Sequence, residues 1–198
     1  MKNRYWFWNL PPWQAWLLAS LIIGSLIPIR RAIIGAFSPV ELEGLTIPAF
    51  DDFTSVILLV MVLPIVEELL FRLAFQGIFL QQLLLKGRHP GIAILISATS
   101  FALVHPAPPM MASAFLLGLF ISWIFWRSAS IWLAIYLHLF NNLIVLMPVL
   151  LDLAATSFID ILFPRLDPGI LIVVSVVITV AALARMNYFL PDSNGGEE

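Results

Sequence analysis

The sequence predicts an all-α fold, a polytopic transmembrane bundle of about six helices, and three observations carry that prediction. Of the 198 residues, 61% are hydrophobic and 11% charged, whereas a soluble domain usually carries about a quarter charged residues. The apolar residues gather into uninterrupted runs of roughly 17–25 residues, the length that crosses a bilayer. Short polar or proline-bearing breaks separate the runs. Apolar surface on this scale cannot all be hidden inside one core of this size, so lipid must cover the rest.

The runs follow in order. Lys2 and Arg4 precede Tyr5, Trp6, Trp8, Trp13 and Trp16, an aromatic belt that leads into a retained first span rather than a cleaved signal peptide. That span is expected from Trp13 to Ile29, stopping at Arg30-Arg31. A loop with Pro39, Glu41, Glu43, Pro48, Asp51 and Asp52 comes next. The stretch from Phe53 to Leu85 holds Glu67, Glu68 and Arg72. It is too long for one untilted span, so it either tilts and protrudes or breaks near Pro64 or Gly77. Lys86-Gly87-Arg88-His89-Pro90 ends it. A span from Gly91 to His105 is closed by Pro106, Pro108 and Pro109, which lack a donor and disfavour continued helix. Spans from Met110 to Trp126 and from Ile131 to Leu150 follow, then a loop with Asp152, Asp160, Arg165 and Asp167, then a last span from Gly169 to Ala184. No repeat, low-complexity tract or linker divides the chain, so residues 1–198 are expected to form one domain. With the N-terminus inside, Lys2, Arg4, Lys86, Arg88, Arg127 and Arg185 fall on the cytoplasmic side, against Arg30, Arg31 and Arg165 outside; the positive-inside rule favours this arrangement.

Composition also excludes. A net charge of -2 and the lack of a basic stripe give no sign of a nucleic-acid partner. With no cysteine, the chain has no disulfide, thiol catalysis, thiolate metal site or cysteine acylation. The tail Asn194-Gly195-Gly196-Glu197-Glu198 is polar and carries no lipidation signal.

An ionisable residue inside a span costs about 2.5–3.5 kcal/mol on insertion scales and is read first as functional. Three spans carry such groups. In Glu67-Glu68-Leu69-Leu70-Phe71-Arg72, Glu68 and Arg72 have the i,i+4 spacing and order of a helical ion pair. Glu67 lies about 100° around the helix, without that partner, and a carboxylate so placed can act as a general base. In Phe101-Ala102-Leu103-Val104-His105, Phe101 is one turn below His105 and can hold its ring. In His138-Leu139-Phe140-Asn141-Asn142, His138 and Asn142 share a face and can donate toward one point, as an oxyanion hole requires; Asn141 points toward a neighbouring helix. Taken singly, each group is also what an architectural ion pair, a structural histidine or an interhelical hydrogen bond looks like. Together they supply a base and oxyanion donors for hydrolysis by water. Ser97, Ser100, Ser113 and Ser122 read as small packing residues, not nucleophiles.

Glu67-Glu68-x-x-x-Arg72, Phe101-x-x-x-His105 and His138-x-x-x-Asn142, in that order, resemble the motifs of the CAAX protease and bacteriocin-processing family, also called the Abi family. The stretch Phe115-Leu116-Leu117-Gly118-Leu119 through Arg127-Ser128-Ala129-Ser130-Ile131-Trp132 is similar to the one members carry before the last motif. The resemblance covers about residues 60–145. Its members are integral-membrane peptidases that include the type II CAAX prenyl endopeptidase. The resemblance implies an intramembrane endopeptidase in which Glu67 activates water with help from His105, His138 and Asn142 stabilise the oxyanion, and Glu68, Arg72 and Phe101 support them. It implies glutamate-dependent catalysis without a metal cofactor, with a zinc peptidase as runner-up, although the His-Glu-x-x-His spacing of common zinc peptidases is missing. The implied partners are membrane lipids and a membrane-associated peptide or protein, prenylated in the best-known cases, and the implied location is a bacterial-type plasma membrane. One departure stands out: Leu73 occupies the position after the motif arginine where many members have glycine, and its side chain is expected to narrow a helix contact there. The rival readings are a non-catalytic membrane scaffold or bacteriocin-immunity protein of the same fold, and a small transporter with a Glu/His proton relay.

Overall fold

Six helical segments run through the residues described by the computed structural model, which are 12–37, 53–150 and 166–188. They are α1 (Pro12–Gly35), α2 (residues 53–84), α3 (Pro90–Leu103), α4 (Pro108–Ser128), α5 (Ile131–Leu150) and α6 (Pro168–Tyr188). The all-α bundle expected from the apolar runs is the observed architecture. Trp13–Gly35, Pro108–Ser128 and Pro168–Met186 are long and apolar enough to cross a membrane, and Pro90–Leu103 and Ile131–Leu146 are shorter apolar helices. The expectations for Lys2, Arg4, Tyr5, Trp6 and Trp8, for the acidic and proline-bearing segment 39–52, for Asp152, Asp160 and Arg165, and for the C-terminal tail lie outside the described residues.

The bundle is organised around α4, which packs against α1, α3, α5 and the end of α2. Ala19, Ile22 and Ile23 of α1, Leu117, Ile121 and Ile124 of α4, Ala134 and Leu137 of α5 and Met186 of α6 form the main apolar core. Small residues at these crossings let helix backbones approach in an environment where lipid gives no hydrophobic drive between helices. The outer surface is apolar as well. Val173, Val177 and Val180 on α6 and Leu58, Val66, Leu70 and Leu83 on α2 are all exposed, the inverse of a water-soluble surface and the pattern expected of lipid-facing helices.

Several boundaries differ from the sequence expectation. Helix α1 does not stop at Arg30-Arg31 but continues to Gly35, because Arg30 finds hydrogen-bond acceptors on two neighbouring helices. Helix α2 breaks at neither Pro64 nor Gly77. Pro64 opens the α-helical piece Leu63–Glu68, where a missing N–H is tolerated. Gly77 stays helical and lets α4 close in: a Cβ there would meet the Phe125 ring at 3.3 Å and the Arg72 carbonyl oxygen at 3.1 Å. The chain keeps its length without breaking by widening its turns to π-helical spacing over Leu58–Val62 and Leu69–Leu84. Helix α3 ends at Leu103, so His105 lies in the connection rather than in the span. Pro108 and Pro109 do not belong to a loop but form the first turn of α4, the position that suits proline's fixed φ.

Candidate functional site

The site is assembled where α5 crosses the middle of α2. His138 projects from α5 between two neighbouring carboxylates. Its Nδ1 donates to Glu68 Oε1 at 2.8 Å, and its Nε2 stands 3.6 Å from Glu67 Oε2. The first is a charge-assisted hydrogen bond; the second is too long for one. Glu68 in turn has its Oε2 3.1 Å from Arg72 Nε, one turn along the same helix, and neither side chain is accessible. The approach is off the N–H axis, so the pair is joined as charges rather than by an aligned hydrogen bond. The Arg72 guanidinium also lies over the Phe101 ring, 4.7 Å from its centroid, a cation–π contact that offsets part of the cost of burial. The two glutamates therefore sit in different environments. Glu68 is sealed and doubly engaged, whereas Glu67 retains 19% exposure.

Phe101 is the wall of the site. It packs edge-on against Phe71 at 5.4 Å, His105 at 5.0 Å and His138 at 5.6 Å between ring centroids. The two imidazoles thus share one aromatic partner. Gly118 of α4 lets this ring come close, for a Cβ at that position would lie 3.1 Å from Phe101 Cδ1. His105 Nδ1 is 3.0 Å from the Phe101 carbonyl oxygen. A carbonyl can only accept, so Nδ1 carries the proton and Nε2 of the neutral ring holds a lone pair.

Asn142 is oriented by a chain of hydrogen bonds that begins on α1. Arg30 donates from Nε to Ser113 Oγ at 2.7 Å and from Nη1 to Asn141 Oδ1. An arginine has no acceptor, so the Asn141 amide must turn its oxygen toward it. Asn141 Nδ2 then donates to Asn142 Oδ1 at 2.9 Å. This fixes the second amide too, leaving its NH2 as the free donor end, with one long contact of 3.4 Å to the Leu59 carbonyl. The direction of both amides follows from Arg30.

Glu67, Glu68, Arg72, Phe101, His105 and His138 are thus gathered in one cluster, with Asn142 one helical turn along α5 from His138. Arg30 and Asn141 join them as residues that the sequence did not single out for the site. A buried cation next to a run of apolar residues looks like the end of a span, and nothing local reveals its partners. Leu73 is exposed, so it does not narrow a helix contact as expected. Ser113 is an acceptor for Arg30 rather than mere packing, and Ser97 donates to the Phe71 carbonyl at 3.3 Å. Among the described residues, no three histidine or carboxylate side chains converge as a metal-binding group. The Nδ1 atoms of His105 and His138 are both committed to other partners, which leaves Nε2 as the outward nitrogen of each ring. A cavity of about 190 Å³ lies between α1, α4 and α5, lined by Arg30, Arg31, Ser113 and apolar side chains. It excludes Glu67 and the imidazoles and adjoins the site through Arg30.

Residues 49–144 match the family model described as Type II CAAX prenyl endopeptidase Rce1-like. The matched segment contains Glu67, Glu68, Arg72, Phe101, His105, His138 and Asn142, so over residues 49–144 the chain is similar to that family. Helix α1, with Arg30, lies outside it. No curated protein and no solved structure matches the chain.

Proposed function

Starting from an Rce1-like core at residues 49–144 of an integral membrane protein, we propose that the chain is a multi-pass intramembrane endopeptidase that hydrolyses membrane-associated peptides or protein tails with water activated by Glu67. The observation that carries this reading is the clamp on His138 by two adjacent carboxylates of unequal burial. A scaffold needs only Glu68 to neutralise Arg72; it has no use for a second, accessible carboxylate against the same imidazole.

In the proposed reaction Glu67, assisted by the Nε2 lone pair of His105, removes a proton from water. The water oxygen bonds to the scissile carbonyl carbon, and the carbonyl oxygen takes up the negative charge. Asn142 Nδ2–H and His138 Nε2–H stabilise that oxyanion. Because His138 Nδ1 already donates to Glu68, donation from Nε2 requires the doubly protonated ring. On collapse the C–N bond breaks, and the leaving amine takes the proton held by Glu67. Glu68, Arg72 and Phe101 hold the imidazoles in place. No metal takes part in these steps. A lipidated substrate such as a prenylated C-terminus suits a site enclosed by lipid-facing helices.

One distance favours a second assignment. A carboxylate on Nδ1 with Nε2 unengaged is also the arrangement of a histidine general base, and the 3.6 Å gap leaves His138 Nε2 without a hydrogen bond to Glu67. The test for both is cleavage of a quenched-fluorescent peptide library with lipidated members, by the purified protein and by Glu67→Ala and His138→Gln, with and without chelator. Loss of cleavage in Glu67→Ala with persistence under chelation supports the glutamate mechanism. Full loss in His138→Gln with residual rate in Glu67→Ala moves the base to His138. Chelator loss restored by zinc turns these side chains into metal ligands, and no cleavage by well-folded protein leaves the scaffold reading standing.

A further inference from the structure

Charged and amide groups are sealed between α2 and α4 without full hydrogen bonding. Among the described residues, the buried side-chain atoms that lack a hydrogen-bond partner are Glu68 Oε2, the three Arg72 nitrogens, Gln76 Oε1 and Gln81 Nε2 on α2, and Ser122 Oγ and Arg127 Nε on α4. Three of these side chains meet at one place. Gln76 follows Arg72 by about one turn, and its Nε2 donates to the Ser122 carbonyl oxygen at 2.9 Å. Arg72, Gln76 and Ser122 are all wholly inaccessible. Orphaned polar atoms are rare in protein interiors and each calls for a partner; surrounding lipid supplies none.

The chemistry of these atoms selects the partner. A carbonyl only accepts, so the Gln76 amide turns its nitrogen to Ser122 and is left with Oε1, an acceptor. The two Nη atoms of Arg72 only donate. Ser20, Ser25 and Ser128 each use their hydroxyl on a carbonyl of their own helix, whereas Ser122 Oγ does not and stays able both to donate and to accept. A ligand here must accept from Arg72 and donate to Gln76. An anion cannot donate, a metal cation is repelled by the guanidinium, and an apolar group does neither. Water does both, and about three partners are usual for a buried water.

We propose that a bound water bridges Arg72 Nη, Gln76 Oε1 and Ser122 Oγ, and that Gln76 and Ser122 are thereby positioning residues for the bond between Glu68 and His138. The reason lies in how arginine pairs. Guanidinium and carboxylate commonly join through two parallel bonds. Arg72 meets Glu68 through Nε and Oε2 alone, and Oε1 is left for His138 Nδ1. Water that holds the Nη atoms toward α4 keeps the guanidinium from turning onto both oxygens. Without it, Arg72 takes Oε1 as well and His138 loses its acceptor.

The test is magnetic resonance on the full chain in lipid nanodiscs, with isotope-labelled arginine and histidine and no substrate. The Arg72 and His138 signals are assigned by their loss in Arg72→Lys and His138→Gln. In the wild type, the Arg72 Nη protons are expected to give cross-peaks to water, and the His138 Nδ1 proton to resonate at the low field of a bond to a carboxylate. Ser122→Val and Ser122→Thr are close in size and differ in the hydroxyl, so crowding is the same in both. Ser122→Val is expected to lose the water cross-peaks and to move the His138 proton upfield, and Ser122→Thr to keep both signals. Gln76→Met, which removes the acceptor, is expected to behave as Ser122→Val does, and it serves if the serine variants do not fold. Wild-type Arg72 Nη protons without water cross-peaks overturn the water site. So do cross-peaks that persist unchanged in Ser122→Val and Gln76→Met, because the water would then be held by other groups. A His138 signal that stays in place while the water is lost overturns the positioning role. Each of these results leaves the peptidase reading intact, since neither readout depends on cleavage.

Discussion

The Glu68–Arg72 pair offers a direct measure of what the buried charges contribute. Both side chains are inaccessible and 3.1 Å apart. Glu68→Gln preserves shape and leaves an oxygen that His138 Nδ1 can still use, but strands the Arg72 charge. Removing one partner of a buried pair costs about 3–5 kcal/mol, while replacing both by neutral groups is often close to neutral. For a chain of this length each kcal/mol moves the midpoint by roughly 2–4 °C, so the single variant should melt about 6–20 °C lower. Arg72→Met alone should also destabilise, by stranding the Glu68 carboxylate. The double variant should recover to within about 1–3 kcal/mol of wild type, the remaining cost being the unpaired amide of the new glutamine. The assay is thermal unfolding in detergent followed by tryptophan fluorescence, for which the chain has seven tryptophans and no cysteine for thiol dyes. A double variant as unstable as the sum of the two singles would refute the reasoning, because it would mean that the two charges are neutralised elsewhere.

Other consequences follow from the same geometry. Glu67→Gln should lower kcat by about 10²–10⁴-fold while leaving the melting midpoint nearly unchanged, since Glu67 is neither sealed nor paired with Arg72; equal loss of stability and activity would count against it as the base. Activity should survive chelation and dialysis, read by the same fluorescent peptides. Gly118→Val should cost about 1–3 kcal/mol by overpacking, because the new Cβ meets Phe101 Cδ1 at 3.1 Å and the Ala98 backbone at 3.3 Å. Gly24→Ala, with nothing within 4 Å, is its control in unfolding measurements. Asn141→Leu should lower kcat by about tenfold or more with KM little changed, because Asn142 loses the bond that sets its amide direction; an unchanged kcat would remove Asn142 from the oxyanion site.

How much of this was legible depends on the sequence distance between partners. The Glu68–Arg72 pair and the Phe101–His105 contact are one helical turn apart, so spacing alone brings them to mind. The Glu68–His138 bond joins residues 70 positions apart, and only the motif resemblance suggested that their spans meet. Arg30 was beyond reach. Its acceptors lie 83 and 111 residues away, and a cation after an apolar run has the same local signature whether it ends a span or is buried by one. The excess acceptors and donors of Ser113 and Asn141 were the only hint, and polar side chains in spans are common glue. The boundary errors have a similar origin. Proline lacks a donor both in a loop and in the first turn of a helix, so Pro108 and Pro109 could not be assigned from sequence to one side or the other.

The division of labour between Glu67 and Glu68 depends on where α2 changes its winding. Consecutive residues of an α-helix project about 100° apart, so two adjacent carboxylates cannot both face one neighbour squarely. A flat imidazole entering edge-on can still reach both, one with each nitrogen, and His138 does so at 2.8 and 3.6 Å. The α-helical piece ends at Glu68 and the wider turns begin at Leu69. Winding of that kind tends to accompany functional positions, because it changes the direction of the side chains that follow. Arg72, in the first widened turn, approaches Glu68 obliquely enough that its guanidinium also covers Phe101. An aligned salt bridge would have satisfied Glu68 more fully and drawn Arg72 off the aromatic wall. The oblique one leaves Glu68 Oε1 to hold His138 and leaves Glu67, on the less buried side of the same turn, as the carboxylate that water can reach.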